Sequence, residues 1–175
     1  MPSIGHVAVG LAARKLYSRG ATGKWSSVPA MIVWSGLSLL PDVDVFGFRF
    51  GIHYGSPFGH RGATHSFAFA IGVGLLAYAI AGALRLPRAR TALFAAIVVA
   101  SHGVLDTMTD GGRGIALLWP FSSERFFAPW RPIPVAPLGR AFWSQEGLRV
   151  AIYELMLFCI PFVYALWPTR RAPDR

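Results

Sequence analysis

The chain alternates long apolar runs with segments that are either short and basic or long and mixed in polarity. Crossing a bilayer as a helix takes about 20 mainly apolar residues, and three runs reach that length. Residues 64–84 carry one histidine, His65, at their very start; residues 90–108 stay apolar until His102 and Asp106; residues 146–167 are interrupted by Arg149 and Glu154, with Pro161 as a kink site. Two earlier runs, 3–17 and 28–40, reach only about 20 Å at helical rise, so they are buried, tilted or partly inserted. The pattern predicts an all-α, polytopic helical membrane bundle of about five helices, three clearly spanning and two short. It forms a single domain over residues 1–175, without internal repeats.

Composition sharpens this picture. The chain is 54% hydrophobic and only 14% charged, against about 25% charged in ordinary soluble domains. That excludes a disordered chain and argues against a soluble enzyme. The N-terminus does not read as a cleaved secretory signal, because His6 interrupts it and Arg14 and Lys15 follow without a small-residue cleavage site. The single cysteine, Cys159, allows no internal disulfide or thiolate-rich zinc site and reads as an inert buried thiol.

The net charge of +9 invites a nucleic-acid reading, but no aromatic-interleaved basic patch or recognition helix supports one. The basic residues instead mark topology. Arg14, Lys15, Arg19 and Lys24, then Arg85, Arg88 and Arg90, then Arg170, Arg171 and Arg175 occupy short segments on one side of alternating helices. The positive-inside rule makes that side cytoplasmic. The N-terminus and the long segments 41–63 and 107–149 then face outward.

Charged groups in membrane helices are costly and mark function. Here His6, Asp42, Asp44, His60, His65, His102, Asp106 and Glu154 all come out at one end of an alternating bundle. The chemistry is metal binding. His102 and Asp106, four apart on a helix, project from one face. Asp42 and Asp44, in a non-helical stretch after Pro41, serve different ions, or one ligates while the other orients a histidine. Imidazole and carboxylate without thiolate suit zinc first, with manganese or iron as alternatives. Seven candidate ligands (His6, Asp42, Asp44, His60, His65, His102 and Asp106) exceed the needs of one four-coordinate zinc. Two ions fit, as does one ion with an orienting shell. Each motif alone has a structural reading as a cap or ion pair, and the metal reading rests on their convergence.

Among the candidate catalytic groups, Asp44, Asp110 or Glu154 would accept a proton from metal-activated water, and Arg61 would neutralise a phosphate or pair with Asp42 or Asp44. Glu154 otherwise bonds a neighbouring helix, and Asp110 otherwise serves the turn before Gly111 and Gly112. His53 reads as a solvated loop histidine. The aromatic, proline-rich segment from Trp119 to Pro134 suits a non-helical cover at the membrane interface.

These motifs resemble the YdjM-type family, the LexA-regulated, membrane-bound metal-dependent hydrolases of bacteria. The resemblance is carried by Gly5-His6, Leu40-Pro41-Asp42-Val43-Asp44, Gly59-His60-Arg61-Gly62, Thr64-His65-Ser66, Ser101-His102, Leu105-Asp106, Thr109, Gly111 and Leu118-Trp119-Pro120-Phe121. It implies a multi-pass inner-membrane hydrolase with a His/Asp metal centre. The order of the ligands is also similar to that of zinc-dependent phospholipase C and related nucleases, although their later His-x-x-x-Glu element is missing. The expectation is therefore a hydrolase acting on a phosphoester of a lipid or lipid-linked substrate, with its site on the periplasmic face. The rivals are an ester or amide hydrolase on a lipid or lipoprotein, and a non-enzymatic metal or proton transporter.

Overall fold

The computed structural model describes residues 3–18, 28–137 and 139–168. The basic residues Arg19, Lys24, Arg170, Arg171 and Arg175, used above for topology, lie outside them. Among the described residues there are helices and irregular segments but no β-strand, two isolated bridges aside.

Helix α1 (Ser3–Tyr17) lies inside the bundle against α2 (Val28–Leu39), α4 (Arg88–Thr107), α5 (Gln145–Leu157) and α6 (Cys159–Leu166). Helix α3 (Phe67–Ala83) packs on α4. The packing is inside-out relative to a water-soluble protein. Small residues point inward, as Ala30 and Ser38 do on α2 and Ala70, Gly74 and Ala81 on α3, with Trp34 of α2 a large inward exception. Large apolar residues such as Ile32, Val33, Ile71, Leu75, Leu76 and Ile160 face outward. Apolar side chains gain nothing by leaving lipid, so close backbone approach through small residues holds such helices together.

The short second run proves longer than its apolar stretch. A 3-10 helix (Leu40–Phe50) continues α2, so the helical segment Val28–Phe50 is long enough to cross a membrane. Asp42 and Asp44 are therefore helical, contrary to the expectation of a non-helical stretch. Pro41 sits in the first turn, where its missing N–H costs nothing. The third helix is shorter than expected. Ser66 caps it by accepting from the Phe69 amide at 3.1 Å, which leaves His65 in a turn ahead of the helix.

The last run breaks one turn earlier than its proline. Helices α5 and α6 meet at 66° around Phe158, because the Pro161 ring excludes the carbonyl four residues back, on Leu157. By length and composition, two helices can cross a membrane, or three if this bent pair counts as one.

Two sequence expectations change. Cys159 is exposed on the outer face rather than buried, since in this packing the apolar face looks outward. Lys15 is no free loop charge. Its Nζ is buried and donates to the Tyr164 and Trp167 carbonyls at 2.5 and 2.6 Å, at the end of α6, where cations are favoured.

Glu154 bonds a neighbouring helix. Its Oε2 accepts from the Ile4 and Gly5 amides at 3.0 and 3.2 Å, in the first turn of α1. Removing this acceptor strands amides that have no intrahelical partner. Glu154→Leu should therefore cost about 1–3 kcal/mol, read as a lower melting temperature in detergent, while Glu154→Gln keeps an acceptor and most of the stability. Equal melting of the two variants would show the cap to be unimportant.

Candidate metal centre

Four elements bring their polar residues to one end of the bundle. Helix α4 presents His102 and Asp106 on the buried stripe that also carries Ala95, Val98 and Val99. The 3-10 extension of α2 supplies Asp42 and Asp44. At about three residues per turn, positions two apart diverge by roughly 120°, so the two carboxylates meet different partners. The turn before α3 supplies His60, Arg61, Thr64 and His65, and α1 supplies His6. Gly103 allows the close approach of α4 to this turn, since a Cβ there would lie 2.4 Å from the His65 carbonyl oxygen.

One group of atoms stands out. Asp42, His65, His102 and Asp106 can each offer a ligand atom to one ion, all of these atoms lying within 4.8 Å of one another. His102 Nε2 and His65 Nε2 lie 3.3 and 3.5 Å from Asp42 Oδ1, and 3.9 and 3.6 Å from Asp106 Oδ2. Ligand atoms bound tetrahedrally to one zinc at about 2.0–2.1 Å would sit about 3.4 Å apart. Both histidine Nε2 atoms and both oxygens of each carboxylate are buried without a hydrogen-bond partner among the described residues. Buried polar atoms are normally satisfied. Four such residues converging at these spacings fit a divalent cation.

The groups behind them are satisfied, and they aim the ligands. His102 Nδ1 donates to the Ser38 carbonyl at 2.6 Å, which leaves Nε2 as the coordinating atom. Asp44 Oδ2 accepts from the Thr64 hydroxyl at 2.7 Å and the Arg61 amide at 3.1 Å, and it lies 3.2 Å from His65 Nδ1. Its Oδ1 accepts from His60 Nδ1 at 2.7 Å. Asp44, His60 and His65 form a second cluster with ligand-like spacing, but these short contacts are hydrogen bonds already made. The geometry separates the paired acids, with Asp42 facing the ion position and Asp44 orienting His65.

The remaining expected residues distribute as follows. His6 stacks on His102 with ring centroids 3.6 Å apart, its Nε2 3.4 Å from Asp106 Oδ1, at the border of the four-residue group. Arg61 pairs with neither Asp42 nor Asp44 through its side chain; its Nε lies 3.3 Å from Asp106 Oδ2. Asp110 is exposed and accepts from the Val135 amide at 2.8 Å, fastening the proline-rich segment. Glu154 faces α1 rather than this group. His53 is exposed.

Sequence reasoning missed Thr64 and Arg125. Thr64 is next to His65, a position that invites a side-chain hydrogen bond. Arg125 donates to the carbonyls of Tyr54, Ser56, His60, Arg61 and Gly114 at 3.2–3.3 Å, binding the two long segments together. Nothing in the sequence around it announces that role. The Trp119–Pro134 region is tied to α4 by Ala128 N–H to the Thr107 carbonyl at 2.9 Å and by Ile133 N–H to the Met108 carbonyl at 3.2 Å.

Fold and site together define a helical membrane protein with a buried His/Asp cluster able to hold a metal ion. The chain belongs to the YdjM inner membrane protein family, whose model matches residues 1–172. It is 43% identical over 151 residues to the inner membrane protein YbcI of Escherichia coli (strain K12), a match covering 82% of this chain and 87% of that protein. Both descriptions agree with its apolar, membrane-length helices. No solved structure matches the chain.

Metal content measured on purified protein should fall to near zero in His102→Ala and Asp106→Ala. Asp44→Asn, which loosens His65 without removing a ligand, should weaken metal affinity by about 10- to 100-fold. Full metal content in both alanine variants would dismiss the site.

His65 adds a pH dependence. Burial opposes charging it, but the Asp42 and Asp44 carboxylates outweigh burial and hold its pKa up at about 9. In the metal-free protein this proton stabilises the fold below the ordinary histidine range, and the contribution disappears as pH rises through about 9. An ion must displace the same proton. Metal affinity should therefore rise about tenfold per pH unit and level off above about 9, measured by chelator competition. A flat profile would remove His65 from the ligand set.

Proposed function

We propose that the chain is a membrane-embedded, metal-dependent hydrolase of lipid or lipid-linked phosphoesters. The observation that carries this reading is the set of unpartnered, buried imidazole and carboxylate atoms of Asp42, His65, His102 and Asp106. A divalent ion held there, zinc by preference, would supply Lewis acidity and a water of lowered pKa.

The protein's own groups do the rest. His65 and His102 keep fixed tautomers through Thr64, Asp44 and the Ser38 carbonyl. Asp42 turns Oδ1 to both histidines, and neither of its oxygens has a donor among the described residues, so its Oδ2 would be available to accept a proton from a bound water. Asp44, already bonded on both oxygens, orients. Glu154 and Asp110, each engaged with backbone amides, hold the surrounding elements.

The site lies at the end of the bundle opposite Arg14, Lys15, Arg85, Arg88 and Arg90, which the positive-inside rule assigns to the cytoplasm. It therefore faces the periplasm at headgroup depth. That level is where a lipid phosphoester resides, which is why phosphoester is preferred to ester or amide. Transport is disfavoured by the other half of the bundle. Its interior is Ala13, Tyr17, Trp34 and Val98 with Leu37 and Phe94 packed around them, and no line of ionisable groups joins the two ends among the described residues.

Purified protein loaded with zinc should cleave members of a panel of phospholipids and lipid phosphates, and should lose turnover on chelation and in His102→Ala. Turnover of ester or amide lipids alone would transfer the reading to that rival. Metal bound with no turnover of any of the three would end it.

A further inference from the structure

Arg61 is the largest fully buried side chain among the described residues, 1% exposed. Its guanidinium spans from Asp106 of the His/Asp cluster to the Gly111 carbonyl. Nε lies 3.3 Å from Asp106 Oδ2, and Nη1 donates to the Gly111 carbonyl at 2.8 Å. Nη2 finds no hydrogen-bond partner among the described residues. A guanidinium presents five N–H donors in a rigid plane, and leaving a charged donor buried and unmet is costly.

Gly112 lies against the Nη1 side of this group. That residue is exposed and has φ +90°. A Cβ at this position would lie 2.5 Å from Arg61 Nη1 and 3.0 Å from the Tyr54 hydroxyl. The missing side chain therefore lets the exposed turn close on Nη1, while Nε and Nη2 of the buried cation are left without a hydrogen-bond partner among the described residues.

The backbone holds that cation in place. Arg61 has φ 64°, a left-handed conformation that costs a non-glycine residue energy and persists only where surroundings enforce it. Here its amide is bonded to Asp44 Oδ2 at 3.1 Å, and its carbonyl accepts from Ala116 N–H at 3.1 Å and Arg125 Nη1 at 3.3 Å. Two further arginines stand nearby, with Asp106 and Asp44 on the inner side. Arg113 lies over the Tyr54 ring at 5.9 Å, and Arg125 stands behind the turn.

We infer that Arg61, Tyr54 and the Gly111–Gly112 turn form an anion-binding mouth beside the His/Asp cluster, which takes a phosphoryl group through Arg61 Nη2. This deepens the hydrolase reading and rests on it for the identity of the phosphoryl compound, though not for the binding itself. Charge-assisted bonds from a preset guanidinium suit a tetrahedral oxyanion, and Arg61 Nε shares Asp106 Oδ2 with the candidate ligand group. The phosphoryl group belongs either to a lipid headgroup or to free phosphate.

Calorimetric titration tests this on purified protein in detergent, zinc-loaded and chelated in parallel. The probes are inorganic phosphate and short-chain phosphatidic acid. Arg61→Lys keeps the charge but loses the fork, and should weaken both probes by about tenfold or more in the chelated as in the zinc-loaded protein. Gly112→Ala, which crowds Arg61 without touching any candidate ligand, should weaken them likewise and serves where Arg61→Lys is poorly folded. Tighter binding of phosphatidic acid assigns the mouth to headgroups; equal or tighter inorganic phosphate assigns it to the free anion. Wild-type affinity in folded Arg61→Lys or Gly112→Ala overturns the proposal, as does a zinc-loaded wild type that binds neither probe. The two readings fail separately. Phosphate binding that depends on Arg61 in a protein that holds no zinc keeps the mouth and removes the metal-dependent hydrolase. Zinc-dependent hydrolysis with phosphate binding indifferent to Arg61 does the reverse.

Discussion

Both carboxylate oxygens of Asp106 are buried, and neither receives a hydrogen bond from a described residue. An isolated ionised carboxylate in low-dielectric surroundings is strongly unfavourable, so positive charge has to be brought to it. Arg61 brings that charge to 3.3 Å on one side, and the imidazole nitrogens of His6, His65 and His102 surround the carboxylate at 3.4–3.9 Å on the others. His6 comes from α1, Arg61 and His65 from the turn before α3, and His102 from Asp106's own helix. Asp106 therefore ties α1, α4 and the turn before α3 into one arrangement, and a cation among the same atoms would tighten it further.

The surrounding fold follows from meeting this demand inside a membrane. Lipid rewards no burial of leucine or isoleucine, so these face outward, while Ala, Gly and Ser let the helices approach closely enough to enclose a polar cluster. The irregular backbone around the cluster would be untenable in lipid unless its polar groups were met. Arg125 meets five carbonyls at once, and the backbone of 107–133 is bonded to α4, to the His60–Arg61 turn and to itself. This segment is thus held by polar bonding at many points.

Much of this was legible from residue spacing. The five apolar runs correspond to the helices, and His102 with Asp106 had to share a face because a helix puts positions four apart on one side. The convergence of the acids and histidines on one end also followed from alternating directions, which membrane crossing imposes. What spacing could not separate was the division of labour between like residues. Asp42 and Asp44 look equivalent in sequence. They differ because the chain after Pro41 stays helical, which sends one carboxylate to the unpartnered Nε2 atoms and the other to Thr64, His60 and the Arg61 amide. Arg125 and the Ser38 carbonyl were invisible for the same reason, since their partners are distant in the chain or are plain backbone.

The sequence by itself determined the solvent of this protein, its helical class and the end of the bundle at which its chemistry sits. These depend on composition and on short-range periodicity. The tertiary structure alone decided which atoms are left without partners. That property belongs to no residue singly, because a hydrogen bond made or missed depends on where a second element lies. Glu154 and Asp106 are both buried acids on membrane helices. The first is met by the open end of α1, and the second is left facing three histidines and an arginine.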